Sequence, residues 1–159
     1  MICLFVLACG CPSVTNVANN EKGTLFPVSV DDSWGFIDKR GDIVIPLKYE
    51  GAVDFSEGRA LIKKDGKWGY INPWDILVIT PQYVEAHKFS DGLAHVKVDG
   101  AYGYINTVGK MVIEPQFEKA NPFSEGFASV KYNGQWGYIN KEGETTLEPQ
   151  YEKAFGYSD

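Results

Sequence analysis

The chain contains 159 residues, of which 44% are hydrophobic and 14% aromatic, and its formal net charge at pH 7 is −6. This length fits one globular domain, and the aromatic content excludes an intrinsically disordered chain. The acidic balance argues against nucleic acid as a partner and against membrane binding through protein charge, because both require a basic surface. With 17 glycines and 8 prolines, the composition favours turns and β-structure over helix bundles.

The chain opens with an apolar leader, residues 1–11, that resembles a bacterial lipoprotein signal. All three cysteines of the chain lie in it, so no disulfide framework is expected in the folded body. The apolar run is too short to span a membrane but suits a secretory signal. Small residues precede Cys9, the predicted lipidation site, with Cys11 as the alternative. No basic residue precedes the run. The other interpretation is therefore that the start codon is wrongly assigned and that the chain has no signal. The polar residues 12–24 predict a flexible tether.

A repeat of 34 residues governs the chain from Leu25 to Asp159, in units of about 25–58, 59–92, 93–126 and 127–159. Four aromatic columns recur at this spacing without gaps and hold 16 of the 22 aromatic residues. Repetition at one period predicts a stacked array rather than a single irregular domain. The columns are Trp34, Trp68, Tyr102 and Trp136; Phe36, Tyr70, Tyr104 and Tyr138; Tyr49, Tyr83, Phe117 and Tyr151; and Phe55, Phe89, Phe123 and Tyr157.

Each unit predicts a three-stranded antiparallel β-meander. Apolar residues recur with a period of two, as over residues 93–98, and the glycines and prolines argue against helix. The first turn carries pairs that favour a type I′ hairpin, and the second carries a glycine suited to a left-handed conformation. The first-turn pairs are Asp65-Gly66, Asp99-Gly100 and Asn133-Gly134, and the second-turn glycines are Gly41, Gly109 and Gly143.

Each unit closes with a Phe-Ser-acid-Gly segment, beginning at Phe55, Phe89 and Phe123, which predicts a local turn. The serines at 56, 90, 124 and 158 are interpreted as turn formers because they recur in every unit. The acids lie too far apart along the array for a paired-carboxylate catalytic site. They are Glu57, Asp91, Glu125 and Asp159.

The segment Gly66-Lys67-Trp68-Gly69-Tyr70-Ile71-Asn72, followed by Ile-x-Pro-Gln-aromatic and Phe-Ser-Glu-Gly-x-Ala-x-Val patterns, resembles the WG repeat (also called KWG repeat) of bacterial proteins. The resemblance covers residues 25–159. Tyr102 departs from it by replacing a tryptophan, and residues 72–75 replace the usual glycine turn. The resemblance implies a β-rich module of secreted or envelope proteins and implies no catalytic mechanism. Its structural positions here are Trp34, Trp68, Tyr102 and Trp136 with Gly35, Gly69, Gly103 and Gly137.

The predicted fold is therefore an all-β array of four meanders with twelve strands. An open solenoid is favoured, and a propeller-like arrangement is the alternative, because four three-stranded units would make an unusually small propeller. The repeated aromatic residues are interpreted as the stacked core, although platforms for stacking sugars are the competing interpretation.

Residues that break the repeat are the candidates for binding. Trp74 and Asp75 lie at a hairpin tip where the other units carry neither residue, and they are the predicted binding residues, with packing as the alternative for Trp74. His87 and His95 are interpreted as solvated surface histidines, because no third ligand supports a zinc site. The sequence predicts no metal, no cofactor and no catalytic residues.

The predicted function is a non-enzymatic repeat scaffold for protein–protein interaction at the bacterial cell envelope, outside the cytoplasm and either membrane-anchored or secreted. The expected partner is an envelope or surface protein. The alternative is a glycan- or peptidoglycan-binding module that uses exposed aromatic residues.

Overall fold

The computed structural model describes residues 23–154, and within that range every regular element is a β-strand. The fifteen strands are β1 (Phe26–Val30), β2 (Ser33–Ile37), β3 (Ile43–Tyr49), β4 (Gly51–Ser56), β5 (Arg59–Lys64), β6 (Lys67–Ile71), β7 (Leu77–Tyr83), β8 (Glu85–Ala86), β9 (Leu93–Val98), β10 (Ala101–Asn106), β11 (Met111–Phe117), β12 (Lys119–Ala120), β13 (Phe127–Tyr132), β14 (Gln135–Asn140) and β15 (Thr145–Tyr151).

The strands form four antiparallel sheets in chain order. The first sheet contains β1–β3, the second β4–β7, the third β8–β11 and the fourth β12–β15. Neighbouring strands in each sheet are consecutive in the sequence, and none of these sheets closes into a barrel. The predicted all-β array of four antiparallel units, open rather than closed, is confirmed.

The last three sheets each contain one strand more than the predicted meander. The segments that follow the third strand of a unit, expected to be irregular, form β4, β8 and β12 and pair with the first strand of the next unit. Ala52, for example, faces Ile62 across the β4–β5 pair and is buried. Each of these sheets therefore draws strands from two sequence units, so that successive units are joined by backbone pairing as well as by packing.

The glycine of the Trp-Gly dipeptide lies where two strands come unusually close. In the second sheet, Trp68 pairs with Tyr83 and Tyr70 pairs with Ile79, so β7 has a bulge opposite Gly69. A β-carbon at Gly69 would lie 2.6 Å from the Ile79 carbonyl oxygen. The same clash, at 2.5 Å, would occur at the other three equivalent glycines, which are Gly35, Gly103 and Gly137.

Three hydrophobic clusters lie between consecutive sheets. The first joins Phe36 and Ile45 to residues of the second sheet such as Ile62. The second contains Tyr70 and Phe89, whose ring centroids are 4.8 Å apart, and the third repeats this contact with Tyr104 and Phe123. Because each cluster draws side chains from two sheets, the units are stabilised by stacking face to face.

Candidate interaction surface

The serines of the Phe-Ser-acid-Gly turns join successive units. The Ser56 hydroxyl donates a hydrogen bond to the carbonyl oxygen of Phe89 at 2.6 Å, and Ser90 repeats the bond to Phe123 at 2.7 Å. The interpretation of these serines as local turn formers is therefore corrected: both side chains reach the turn of the next unit. A local signal could not show this, because the partner lies 33 residues away.

The acids of the same turns make a second connection between units. The backbone N–H of Gly92 donates to the Glu57 carboxylate at 3.0 Å, and Gly126 donates to Asp91 at 2.6 Å. Asp91 also pairs with Lys141 at 3.4 Å. These carboxylates are engaged in holding consecutive units together.

The second hairpin of each unit is organised by one polar side chain. In the second sheet, the side-chain oxygen of Asn72 accepts hydrogen bonds from the backbone N–H groups of Trp74 and Ile76, both at 3.0 Å. Such a bond pattern fixes a tight turn through one side chain and the backbone, so different residues can occupy the tip in different units. The equivalent residues Asp38, Asn106 and Asn140 make the same bonds.

The two predicted binding residues, Trp74 and Asp75, have different surroundings. Trp74 lies at the hairpin tip with 43% of its surface exposed. Asp75 accepts a hydrogen bond from the Tyr49 hydroxyl at 2.5 Å and pairs with Lys48. Burial, followed by this bond, raises the pKa of Tyr49 above its ordinary value. Asp75 thus connects the second hairpin of one unit to β3 of the unit before it.

Each later hairpin also rests on the preceding sheet. A β-carbon at Gly109 would lie 3.1 Å from the Ile79 side chain, and one at Gly143 would lie 3.2 Å from Ile113. Glycine is favoured at both positions because the backbone there is left-handed, with φ of 85° and 83°. The second hairpins therefore follow one another along one edge of the array.

Five large apolar side chains are exposed on these hairpins and at the strand ends beside them. Their exposed fractions lie between 42 and 67%. We call this set the hairpin ridge, and it consists of Ile43, Trp74, Ile76, Leu77 and Val108. Arg40 and Asp42, which form an ion pair at 3.2 Å, lie beside its first member. Exposed apolar surface bordered by charged groups is typical of protein interaction sites.

The tryptophan column lies at the rim of the stacked core. Phe36, Tyr70 and Tyr104 are fully buried, as expected for the repeated aromatic residues, but Trp68 is only half-buried. Trp68 lines a groove of about 570 Å³ between the second and third sheets, and Trp136 lines a groove of about 440 Å³ between the third and fourth. The interpretation as core residues is thus corrected for the tryptophans, whose indole rings lie at the edges of the clusters, whereas Tyr102 of the same column is buried and belongs to the third cluster.

The two histidines form a stacked pair. Their ring centroids are 3.8 Å apart with an interplanar angle of 14°, and His95 is only 3% exposed. The interpretation of His95 as a solvated surface residue is wrong, because its face of β9 is covered at the junction between sheets. The sequence did contain a signal, since His95 occupies the column of the buried Leu61.

The electrostatics of this pair keep His95 neutral. Burial, and then the charge of His87, lower the pKa of His95 to about 3, while Glu85 opposes this shift. The Nδ1 atom of His95 has no hydrogen-bond partner. Glu85 accepts a hydrogen bond from the Tyr102 hydroxyl, which with the neighbouring His87 and Lys97 lowers the pKa of this carboxyl. Tyr102, the departure from tryptophan, is thus matched to a carboxylate beside it.

Residues 23–154 contain no group of three or more His, Cys, Asp or Glu side chains that could hold a metal ion. Within the same range, no helix is long and apolar enough to cross a membrane. The predicted lipidation residues Cys9 and Cys11, the leader 1–11 and Asp159 lie outside the described residues, so these predictions stay predictions.

Comparison with known families gives one result for this chain. A family model described as WG containing repeat matches residues 34–68, 68–100, 102–136 and 136–159. These four matches cover most of the array, and they begin at Trp34, Trp68, Tyr102 and Trp136. No curated protein matches the chain.

Proposed function

The chain belongs to the family of WG-containing repeat proteins, and from this premise we propose that it is a non-enzymatic scaffold that binds another protein at the bacterial cell envelope. The hairpin ridge is the observation that carries the proposal. It presents large apolar side chains on an edge that consecutive units build together. A surface of this kind suits a protein partner better than a small-molecule substrate, which would need an enclosed pocket.

The engagement of the polar residues supports a scaffold over an enzyme. Ser56 and Glu57 are bonded to the next unit, and Asp75 is bonded to the preceding one. A catalytic group must be placed against a substrate within a site that excludes water. These side chains instead serve the contacts that hold the array in shape.

Trp74 is the expected centre of the interface. Tryptophan is enriched among the residues that contribute most to protein–protein affinity, because its ring buries a large area at a small entropic cost. The Asn72 side chain and the Asp75 contacts fix the hairpin that carries it. A fixed presentation lowers the cost of ordering the surface on binding.

The second candidate function is binding of a cell-wall glycan. The exposed fraction of Trp74 favours it, because an exposed aromatic face can stack on a sugar ring. Under this alternative the hairpin tip is the site and the remaining ridge residues contribute little.

The test replaces Trp74 with alanine and uses Phe127→Ala as the matched control, since Phe127 is also 43% exposed but lies outside the hairpin ridge. A photo-crosslinking residue at Val108 is used in intact cells, and the soluble body 16–159 is co-sedimented with purified peptidoglycan. We expect one crosslinked protein. Its crosslink should be retained in Phe127→Ala and should fall at least about tenfold in Trp74→Ala.

Two outcomes would contradict the scaffold proposal. Co-sedimentation with peptidoglycan that Trp74→Ala abolishes would establish the glycan alternative. A crosslink that is unchanged in Trp74→Ala would remove the hairpin ridge from the interface.

The envelope location is a separate part of the proposal and rests on the leader. Cys9 follows small residues after an apolar run, a pattern read as an acylation site, so we expect labelled palmitate to enter the expressed protein. Cys9→Ser should lose the label, and Cys11→Ser is the control that should keep it. An unlabelled protein with an unprocessed N-terminus would contradict membrane anchoring.

A further inference from the structure

Positions 87 and 95, together with their equivalents in the units before and after, hold a different pair of side chains in each of three units. The preceding equivalents, Val53 and Leu61, are apolar and pack in the cluster between the second and third sheets. In the following equivalents, the Asn121 side-chain amide donates a hydrogen bond to the Ser129 hydroxyl at 2.8 Å. Each pair is thus complementary within itself: apolar with apolar, imidazole with imidazole, amide with hydroxyl.

The imidazole pair alone can gain positive charge. His95 lies on β9 on the face turned toward the fourth sheet, with its ring centroid 6.1 Å from both the Tyr102 and Tyr104 rings. His87 covers it at 3.8 Å, and the Nδ1 atom of His95 is buried without a partner. A proton on His95 would place a charge in a buried site, directly against a second titratable ring.

The charged and titratable groups around the pair give it little compensation. Glu85 on β8 lies 3.5 Å from the His87 Nε2 atom, but it already accepts a hydrogen bond from the Tyr102 hydroxyl and lies 3.6 Å from the Lys97 ammonium. From the other side, Glu118 and Lys119 line the same groove with opposite charges. The titratable and charged groups facing the pair are therefore Glu85, Lys97, Tyr102, Tyr104, Glu118 and Lys119.

We propose that the junction between the third and fourth sheets is a proton-responsive contact, which is closed at neutral pH and opens more often in mild acid because the buried His95 gains a proton once it becomes accessible. The contacts that such opening would break are the Tyr104 hydroxyl bond to the Asn121 carbonyl at 2.8 Å and the turn contacts of Ser90 and Asp91. The junction between the second and third sheets has Val53 and Leu61 at these positions and lacks the response.

The direction follows from proton linkage. The pKa of His95 is lowered to about 3 in the closed junction, whereas an exposed histidine titrates near its ordinary value of 6.5. Between these two values the open form binds more protons, so opening becomes more favourable as the pH falls. The contribution of neutral His95 to the stability of the closed junction is complete above pH 6.5 and is lost as the pH falls toward 3. The opening equilibrium should rise about thirtyfold from pH 7.5 to pH 5.

Hydrogen exchange on the full chain tests the proposal. Wild type is compared with the double variant His87→Val/His95→Leu, which copies the Val53 and Leu61 pair of the preceding junction. With exchange corrected for its intrinsic pH dependence, we expect protection of β12–β15 in wild type to fall about thirtyfold between pH 7.5 and pH 5, because a sheet that leaves the stack loses the packing that keeps its strands paired. Protection of β4–β7 should change less, and the double variant should lose the difference.

The variant separates the histidines from other titrating groups, because it keeps Asp91, so an effect through that carboxylate would appear in both proteins. An equal acid response in wild type and variant, or no response in wild type, would overturn the proposal. His87→Asn/His95→Ser, which copies Asn121 and Ser129, is the second variant if the first does not fold. No partner is needed, so the result is independent of the proposed function.

Discussion

Gly69 and its three equivalents show why a Trp-Gly dipeptide recurs in every unit. The backbone at Gly69 is not left-handed, so conformational freedom is not what requires glycine there. The requirement is space, because β7 bulges toward it and the Ile79 carbonyl and Pro81 occupy the volume of a side chain. Trp68, the residue before Gly69, lies at the edge of the cluster, where its large ring excludes water from the core.

Replacing Gly69 with alanine should therefore destabilise the protein by about 2 to 3 kcal/mol, because the added carbon meets backbone that cannot move without breaking the β6–β7 pairing. The measurement is the urea midpoint and slope of unfolding. Gly23→Ala is the matched control, since nothing lies within 4 Å of its β-carbon position and its φ is not positive. A loss below about 0.5 kcal/mol at Gly69 would contradict this account.

At the scale of strands and turns, the repeating structural unit is offset from the repeating sequence. β4, β8 and β12 follow the third strand of one unit yet pair with the first strand of the next. The Ser56 and Ser90 side chains then fasten the turns of successive units. An antiparallel pair and a side-chain bond act at the same boundary, so each boundary stabilises both of the units that it joins.

Ser90→Ala should cost about 1 kcal/mol, because it leaves the Phe123 carbonyl at the boundary without this hydroxyl donor. Ser56→Ala should cost a similar amount, since its bond to Phe89 is equivalent. Both are measured by urea unfolding against Thr146→Ala, which removes an exposed hydroxyl bonded to Tyr138 at 3.2 Å. Equal effects of all three substitutions would argue that the serine contacts add nothing specific to the boundary.

At the scale of the whole molecule, stability comes from three clusters that each join two neighbouring sheets. A single sheet has two faces and covers neither, so the array is stable only because the sheets stack. Stacking also places the second hairpins one after another along one edge, so that their exposed apolar residues together form the hairpin ridge. The proposed function thus depends on an arrangement that no isolated unit possesses.

The repeat, the strand period and the turn residues were readable from the sequence because each depends on local chemistry. Asp65-Gly66 and Asp99-Gly100 do adopt positive φ at their turns, and the alternating pattern over 93–98 does form β9. Strand periodicity and turn conformation are set by residues near one another in the chain, which is why the fold class followed from the pattern alone.

Contacts between units were decided only by the tertiary structure. His95 was misplaced because alternation assigns one face of a strand to solvent, whereas a sheet inside a stack is covered on both faces. The bonds of Ser56 and Asp75 were missed because their partners lie 33 and 26 residues away. A period of 34 reveals that units are equivalent, but which side chains meet across a boundary depends on the offset, twist and approach of whole sheets.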